Sequence, residues 1–218
     1  MYKFMLNETS YHGAGAIKAV PEEIKARGFK KAFVASDPDL VKFGVTKKVT
    51  DLLDEAGIEF VLYSNIKPNP TIENVQTGVA AFKEAGADCI VAIGGGSSMD
   101  AAKVMWLMYE NPEVNFDDIK QKFMDIRKRA FKFPELGKKA KMICIPTTSG
   151  TGSEVTPFAV ITDKKENKKY PLTDYALTPT IAIVDPEFVM SLPIAIAAAA
   201  GQPTSTVVSD KWNLSAIS

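Results

Sequence analysis

The sequence predicts an α/β fold with a mostly parallel sheet, flanking helices and one β-hairpin. Short apolar runs alternate with longer segments of helical periodicity, one apolar run leads directly into a glycine turn, and a polar turn separates two late strand patterns. At 218 residues, the chain can form one large domain or a domain with an appendage. We assign residues 1–193 to the domain and residues 194–218 to an atypical C-terminal tail.

The first elements follow the alternation expected of a parallel sheet covered on both faces. A strand at residues 31–36 precedes helical periodicity over residues 40–56, and a second strand at Glu59–Tyr63 precedes a helix over residues 71–85. The Asn69-Pro70 pair predicts the start of this last helix, with Asn69 as the N-cap and Pro70 at the first helical position.

The next strand, residues 89–93, leads straight into Gly94-Gly95-Gly96, after which Ser97, Ser98 and Asp100 open an apolar-periodic helix. Glycines let the backbone approach a ligand closely, and the free amides and dipole at a helix start favour an anionic phosphate. The alternative is a plain tight turn in which Ser97 or Ser98 is an ordinary N-cap. Of the two interpretations we favour phosphate binding.

The later elements are predicted from the same kinds of pattern. A basic helix around residues 116–130 precedes a strand at residues 142–145. Residues 158–162 and 169–172 flank a polar turn at residues 163–167, which indicates a hairpin. A last strand at residues 180–184 is followed by Asp185-Pro186-Glu187, which predicts the capped start of a short helix.

Composition excludes several classes of partner. Lys and Arg total 26 and Asp and Glu total 26, so no basic surplus favours nucleic acid or an anionic membrane. Apolar runs stay below the ~20 residues of a membrane span, and the first residues lack the apolar region of a signal peptide. Cys89 and Cys144 lie inside predicted strands, where structural burial is the favoured interpretation. These features predict a cytoplasmic protein.

Three further places are candidates for part of a binding site. Asp37 directly follows the strand at residues 31–36, where a carboxylate can accept both ribose hydroxyls of an adenosine; a helix N-cap or an Asp-Pro turn is an equal alternative. The loop at residues 146–154 is dense in hydroxyls and glycines, which suits phosphates, ribose or an amide, although such loops are often only solvated. Lys168 and Lys169 could reach a ribose or phosphate, or form a solvated hairpin face.

Three separated motifs resemble the iron-dependent (group III) alcohol dehydrogenases. They are GGGSSMDAAK at 94–103, IPTTSGTGSE at 145–154 and VDPEFVMSLP at 184–193, and the resemblance runs from about residue 4 to residue 193. The opening FMLNETSYHGAGA and KPNPT at 67–71 are most similar to the lactaldehyde reductase branch, and the residues after Lys103 to the alcohol dehydrogenase part of bifunctional aldehyde-alcohol dehydrogenases. The resemblance implies that residues 1–193 form a Rossmann-like dinucleotide-binding domain.

The resemblance also implies where the adenosine and pyrophosphate parts of NAD(H) bind. Asp37 would hold the adenosine ribose, and Asn69 would lie beside the cofactor. The pyrophosphate would be held by Gly95, Gly96 and Ser97.

Further cofactor contacts follow from the same resemblance. Asp100 would lie near the pyrophosphate, and Thr147, Thr148 and Thr151 would line the nicotinamide side. Lys169 would contact the cofactor as well. The sequence offers no catalytic residue that we can name.

The sequence departs from the family at its metal ligands. In the complete family enzyme, iron or zinc acts as a Lewis acid, and a second, all-helical domain begins with a Gly-x-Asp-x-x-x-His pattern. The nearest frame here starts at Gly201 and has Pro203 and Val207 in the ligand positions, and His12 is the one histidine of the chain. We therefore expect the all-helical domain to be absent and this chain to hold no metal ligands.

Two functional hypotheses remain open. The chain could be the NAD(H)-binding domain of an iron-dependent alcohol dehydrogenase, which interconverts small aldehydes and primary alcohols by hydride transfer, and would be inactive alone. It could also be a nucleotide-binding module without catalysis, either a truncation product or a partner-dependent subunit. The expected partner is a small alcohol or aldehyde, and self-association as a homo-oligomer stays open.

Overall fold

The apolar runs of the sequence form a parallel sheet and a hairpin in the computed structural model, which describes residues 5–120 and 133–190. The strands are β1 Thr9–His12, β2 Lys31–Ala35, β3 Glu59–Tyr63, β4 Cys89–Gly94, β5 Lys141–Pro146, β6 Phe158–Asp163, β7 Lys168–Thr173 and β8 Ile181–Val184. Within the described ranges, six strands form one sheet in the order β1-β8-β5-β4-β2-β3, and every neighbouring pair is parallel. Strands β6 and β7 pair antiparallel as a separate hairpin. The predicted α/β fold class is confirmed.

Helices cover both faces of this sheet. They are α1 Ala19–Ala26, α2 Pro38–Lys42, α3 Lys47–Glu55, α4 Ile72–Ala85, α5 Gly96–Glu110 and α6 Phe116–Ile119. Single turns of 3₁₀ helix lie at Ala16–Lys18, Tyr175–Leu177 and Pro186–Phe188, and Asp185 caps the last of these as predicted. In this part of the chain no helix has the length and apolar character needed to cross a membrane.

Several predicted elements differ from the structure. The helical pattern at residues 40–56 forms two helices, because Gly44 takes a positive φ of 72° between α2 and α3. Strand β1 and helix α1 were not predicted, since the short β1 lacks a clear apolar run. Of the predicted basic helix, residues 116–120 are described and Phe116–Ile119 form α6; its remainder and the predicted tail at 194–218 lie outside the described residues.

One predicted helix cap was wrong, and the alternative of a serine cap on α5 is excluded. Thr71 caps α4, because its side chain accepts a hydrogen bond from the Asn74 N–H, whereas Asn69 lies two residues earlier with a φ of 53°. Gly95 is the N-cap of α5, so neither Ser97 nor Ser98 caps that helix.

The core has two layers, one on each face of the sheet. One layer joins α4, α5 and the hairpin to the sheet, and the other joins α1 and α3 to it. In the first layer the fully buried Phe33 of β2 stacks between Tyr63 and Phe82, at ring-centroid distances of 5.6 and 4.7 Å. Both cysteines are buried and free, as expected.

The aromatic stack generates a stability prediction. Replacing Phe33→Ala removes a fully buried ring from between two others, so the free energy of unfolding should fall by about 3–5 kcal/mol, measured by urea denaturation. Phe43→Ala is the matched control, because Phe43 is 74% exposed and its loss should change the free energy of unfolding by no more than about 0.5 kcal/mol. Equal effects of the two substitutions would contradict the assignment of Phe33 to the core.

Candidate cofactor site

The carboxyl ends of the parallel strands bring the candidate residues to one edge of the sheet. Strand β4 lies between β2 and β5, with Ala35 paired to Ala92 and Gly94 paired to Pro146. Asp37 therefore lies on one side of the glycine turn, and the threonine-rich loop at residues 147–151 on the other. In open parallel sheets, ligands bind in the crevice outside the carboxyl ends of the strands.

The turn requires glycines both because of its backbone conformation and because neighbouring side chains leave little room for a Cβ. Gly94 has a φ of 153°, and a Cβ there would lie 2.4 Å from Ser98 Oγ. Gly95 is extended, yet a Cβ on it would lie 3.2 Å from Thr148 Oγ1, and one on Gly96 would lie 3.0 Å from Thr151 Cγ2. Among the described side chains, none caps the first turn of α5. Its amides and its dipole therefore favour an anion in front of the turn.

The threonine-rich loop faces this turn. The Thr147 N–H donates to the Gly94 carbonyl over 3.0 Å, which extends the pairing of β4 and β5 beyond the sheet. Thr148 and Thr151 follow and contact the positions of Gly95 and Gly96. Thr147 is 2% exposed, so the two later threonines are better placed to meet a ligand than Thr147 is.

Asp37 takes the capping role that the sequence left open, and its second oxygen lies near the glycine turn. Its Oδ1 accepts a hydrogen bond from the Leu40 N–H over 2.9 Å, so Asp37 is the N-cap of α2. Its Oδ2 accepts from Ser98 Oγ over 3.4 Å, which turns the second oxygen towards the glycine turn. The cap is thus confirmed, and one oxygen remains on the side of the candidate site.

Three positions that are far apart in sequence meet beside the glycine turn. The Asn69 N–H donates to Ser97 Oγ over 3.3 Å, and Lys169 Nζ donates to Asn69 Oδ1 over 2.7 Å. Asn69 and Lys169 are exposed. The positive φ of Asn69 lets its N–H turn towards α5. The tip of the hairpin is thereby joined to the edge of the sheet.

Asp100 is occupied by the protein itself. Its Oδ1 accepts from Ser153 Oγ over 2.7 Å, and its Oδ2 accepts from the Val160 N–H over 3.0 Å. Burial raises the pKa of Asp100, and the nearby Lys103 partly opposes that shift. Asp100 therefore holds the segment after the threonine-rich loop.

Sequence reasoning missed Lys103. This lysine is fully buried, and its Nζ donates to the carbonyls of Thr156 and Phe158 over 2.6 and 2.8 Å. Burial lowers the pKa of Lys103 to about 8. The available signal was a lysine three residues after Asp100 inside an otherwise apolar helix, where a charge is expensive unless it is paired.

We expected this chain to hold no metal ligands, and His12 and the acidic residues are the side chains that bear on this expectation. Residues 5–120 and 133–190 contain no group of three or more His, Cys, Asp or Glu side chains that could hold a metal ion. His12 lies at the end of β1, and its Nε2 is 2.6 Å from Ser10 Oγ. These residues do not fit a metal centre.

A cavity of about 750 Å³ lies at the other edge of the sheet. It is lined by residues that precede or begin β1, β5 and β8, among them Glu8, Lys141 and Thr180, and by Trp106. None of the ten candidate cofactor positions lines it. The candidate site is the crevice at the carboxyl edge, because the glycine turn and its charged neighbours lie there.

Comparison with known proteins agrees with the motifs. A family model described as iron-containing alcohol dehydrogenase matches residues 7–186. Aldehyde-alcohol dehydrogenase 2 of Entamoeba histolytica is 58% identical over 165 residues, which are 75% of this chain and 19% of that protein. Lactaldehyde reductase of Escherichia coli is 38% identical over 199 residues, which are 91% of this chain and 50% of that protein. Both branches indicated by the motifs are thus among the relatives.

A solved structure has a similar fold. The structure of sulfoacetaldehyde reductase from Bifidobacterium kashiwanohense in complex with NAD+ matches with a TM-score of 0.80 and 27% identity, over 92% of this chain and 50% of that chain. The chain spans about half the length of this reductase and of lactaldehyde reductase, and about a fifth of the Entamoeba protein.

Proposed function

The chain belongs to the iron-containing alcohol dehydrogenase family, and we propose that it binds NAD(H) for an enzyme that interconverts small aldehydes and primary alcohols. One observation carries the cofactor assignment. The uncapped start of α5 and the threonine-rich loop face each other across Gly95 and Gly96, where any Cβ would close the space. A dinucleotide pyrophosphate needs such a place, since it is anionic and must approach the backbone closely.

The remaining parts of NAD(H) are assigned outward from the pyrophosphate. Asp37 Oδ2 accepts the hydroxyls of the adenosine ribose, on the β2 side of the turn. Thr148 and Thr151 lie on the β5 side, where the nicotinamide half would extend. Lys169 and Asn69, joined by a hydrogen bond, can separate to contact the ribose or phosphate. Ser97 contributes its hydroxyl next to them.

The reaction is divided between the bound groups and the protein. NAD(H) supplies or accepts the hydride, and the residues of this chain hold and orient it. In the complete family enzyme iron or zinc polarises the substrate oxygen, but we assign no residue of this chain to that metal. The substrate class is proposed from the relatives' names, which describe alcohol and aldehyde chemistry.

The cellular compartment and the oligomeric state are proposed on separate grounds. Cys89 and Cys144 are both buried and free, as is common for proteins of a reducing compartment such as the cytoplasm. Self-association as a homo-oligomer is proposed from the family resemblance alone. The alternative, a nucleotide-binding module without catalysis, makes the same prediction for cofactor binding and differs in turnover.

Cofactor binding is tested at Gly95. Gly95→Ala and Gly95→Val place progressively larger groups against Thr148, where the first Cβ already lies 3.2 Å from Oγ1. NADH affinity, measured by fluorescence titration, should fall in that order and by at least about 1.4 kcal/mol, or tenfold, for Val. Thermal unfolding serves as the control for folding. A folded Gly95→Val variant that binds NADH as well as the original chain would refute the assignment.

Cofactor choice is tested at Asp37. A carboxylate beside the ribose repels a 2′-phosphate, so NADH should bind more tightly than NADPH. Asp37→Asn removes the charge and keeps an oxygen that caps α2, and Asp37→Gly removes both with a cap cost of only a few tenths of a kcal/mol. Both variants should reduce the difference in affinity between NADH and NADPH. A chain that already prefers NADPH, or variants whose preference does not change, would leave Asp37 with its capping role alone.

Turnover separates the two hypotheses. The purified 218-residue chain should bind NADH but form none from NAD+ and a small alcohol such as propanediol, with or without added iron or zinc. The reason is that the residues described contain no three-ligand group for the metal that stabilises charge on the substrate oxygen. Addition of the family's all-helical domain should permit turnover. Robust oxidation by the chain alone that a chelator abolishes would show that this prediction is wrong.

A further inference from the structure

Asp100 and Lys103 together grip one short segment of the chain. Asp100 accepts hydrogen bonds from Ser153 Oγ and the Val160 N–H, and Lys103 Nζ donates to the carbonyls of Thr156 and Phe158. Along residues 153–160 the two contacts of Lys103 lie between the two contacts of Asp100, and Asp100 accepts from the donors whereas Lys103 donates to the carbonyls. We call these two side chains the α5 clamp.

The held segment is continuous with the threonine-rich loop. Thr148 and Thr151 precede Ser153 by only a few residues, and Ser153 N–H also donates to Thr151 Oγ1 over 3.3 Å. The same helix therefore carries the glycine turn at its first residue and, one to two turns later, the clamp that fixes the opposite wall. The distance between the two walls is set within α5 itself.

Complete burial of an ammonium group is energetically unfavourable compared with burial of an apolar side chain of similar size. Taking a charge out of water costs several kcal/mol unless hydrogen bonds and opposite charge compensate it, and an apolar side chain of similar length often serves stability as well or better. Lys103 donates to two backbone carbonyls of the segment that follows the threonine-rich loop. Its contacts are therefore specific to the path of the segment rather than to the filling of the core.

We propose that Asp100 and Lys103 are positioning residues, which hold the threonine-rich loop at the spacing that NAD(H) requires and make cofactor affinity depend on the charge of Lys103. The inference rests on the proposed cofactor binding and adds residues that act through the loop rather than by touching the cofactor. A loop fixed in advance loses less conformational freedom when the ligand binds. Loosening the clamp should therefore weaken NAD(H) binding.

The charged groups around Lys103 define the pH at which the clamp loosens. Burial lowers the pKa of Lys103 to about 8, opposed by Cys144 of β5, Asp100 of α5 and Glu154 of the loop. Burial also raises the pKa of Asp100 and of Glu154, with Lys103 opposing both shifts. Below about pH 8 the ammonium donates fully to the two carbonyls, and above it the neutral amine donates more weakly. Affinity should fall as the pH rises through this value.

The first experiment compares two lysines in the 218-residue chain. Lys103→Met keeps the length of the side chain and removes its donors, whereas Lys141→Met removes a lysine that pairs with Glu8 at the other edge of the sheet. Hydrogen exchange of residues 147–158, followed by mass spectrometry without cofactor, should become at least tenfold faster in Lys103→Met only. The Kd for NADH should rise at least tenfold in that variant and stay unchanged in Lys141→Met.

The second experiment uses Asp100 and pH, and it does not depend on how well Lys103→Met folds. Asp100→Asn keeps groups that can bond Ser153 and Val160 but removes the charge that raises the pKa of Lys103. The Kd for NADH, measured between about pH 6.5 and 9.5, should rise near pH 8 in the original chain and at a lower pH in Asp100→Asn. Asp100→Ala, which loses both bonds, should bind NADH weakly at every pH.

The outcomes separate the two proposals. If the original chain does not bind NADH while Lys103→Met still accelerates exchange at residues 147–158, the proposed function fails and so does the effect on cofactor affinity, and only the fixing of the loop by the clamp is supported. If NADH binds but Lys103→Met changes neither exchange nor affinity, or if affinity is independent of pH and Asp100→Asn behaves as the original chain, the clamp is refuted and cofactor binding stands.

Discussion

The burial of helix α5 is the constraint on which the rest of the structure depends. Ten of its fifteen residues are buried, from Ser98 to Glu110, so the helix packs on most of its circumference. Glu110 at its end accepts backbone hydrogen bonds from residues 137–140, which fixes the far end as firmly as β4 fixes the near one. A helix held in this way cannot tilt, and its first turn has one position relative to the sheet.

The parallel sheet places the start of α5 beside the other residues of the candidate site. Since β2, β4 and β5 are neighbours and run the same way, their carboxyl ends place Asp37, Gly94 and the threonine-rich loop side by side. The hairpin is the second contributor, since it brings Lys169 to Asn69 from a hundred residues away. Helix α5 reaches the hairpin through Lys103 and Asp100, so sheet, helix and hairpin form one rigid support for the crevice.

The members of the candidate site divide by how they are held. Gly95 and Gly96 are required for the space they leave, whereas Gly94 is required for its backbone angle as well. Asp100, which the family resemblance places near the cofactor, uses both of its oxygens within the protein. Asp37 shares its oxygens between α2 and the glycine turn. Within one motif, the open positions at Gly95 and Gly96 and the supporting side chain of Asp100 are therefore distinguished only by their contacts.

The sequence by itself determined the fold class, the strands at Glu59–Tyr63 and after residue 88, the hairpin and the place of the glycine turn, because these follow from local periodicity and turn chemistry. It did not determine strand β1, whose partner β8 is far away in the sequence, nor the break at Gly44 or the cap at Thr71, because apolar periodicity does not mark where one helix ends or the next begins. It could not determine the role of Lys103, since its partners at Thr156 and Phe158 lie more than fifty residues away. Only tertiary packing, which excludes water around that ammonium, decided that it would hold a loop instead of facing solvent.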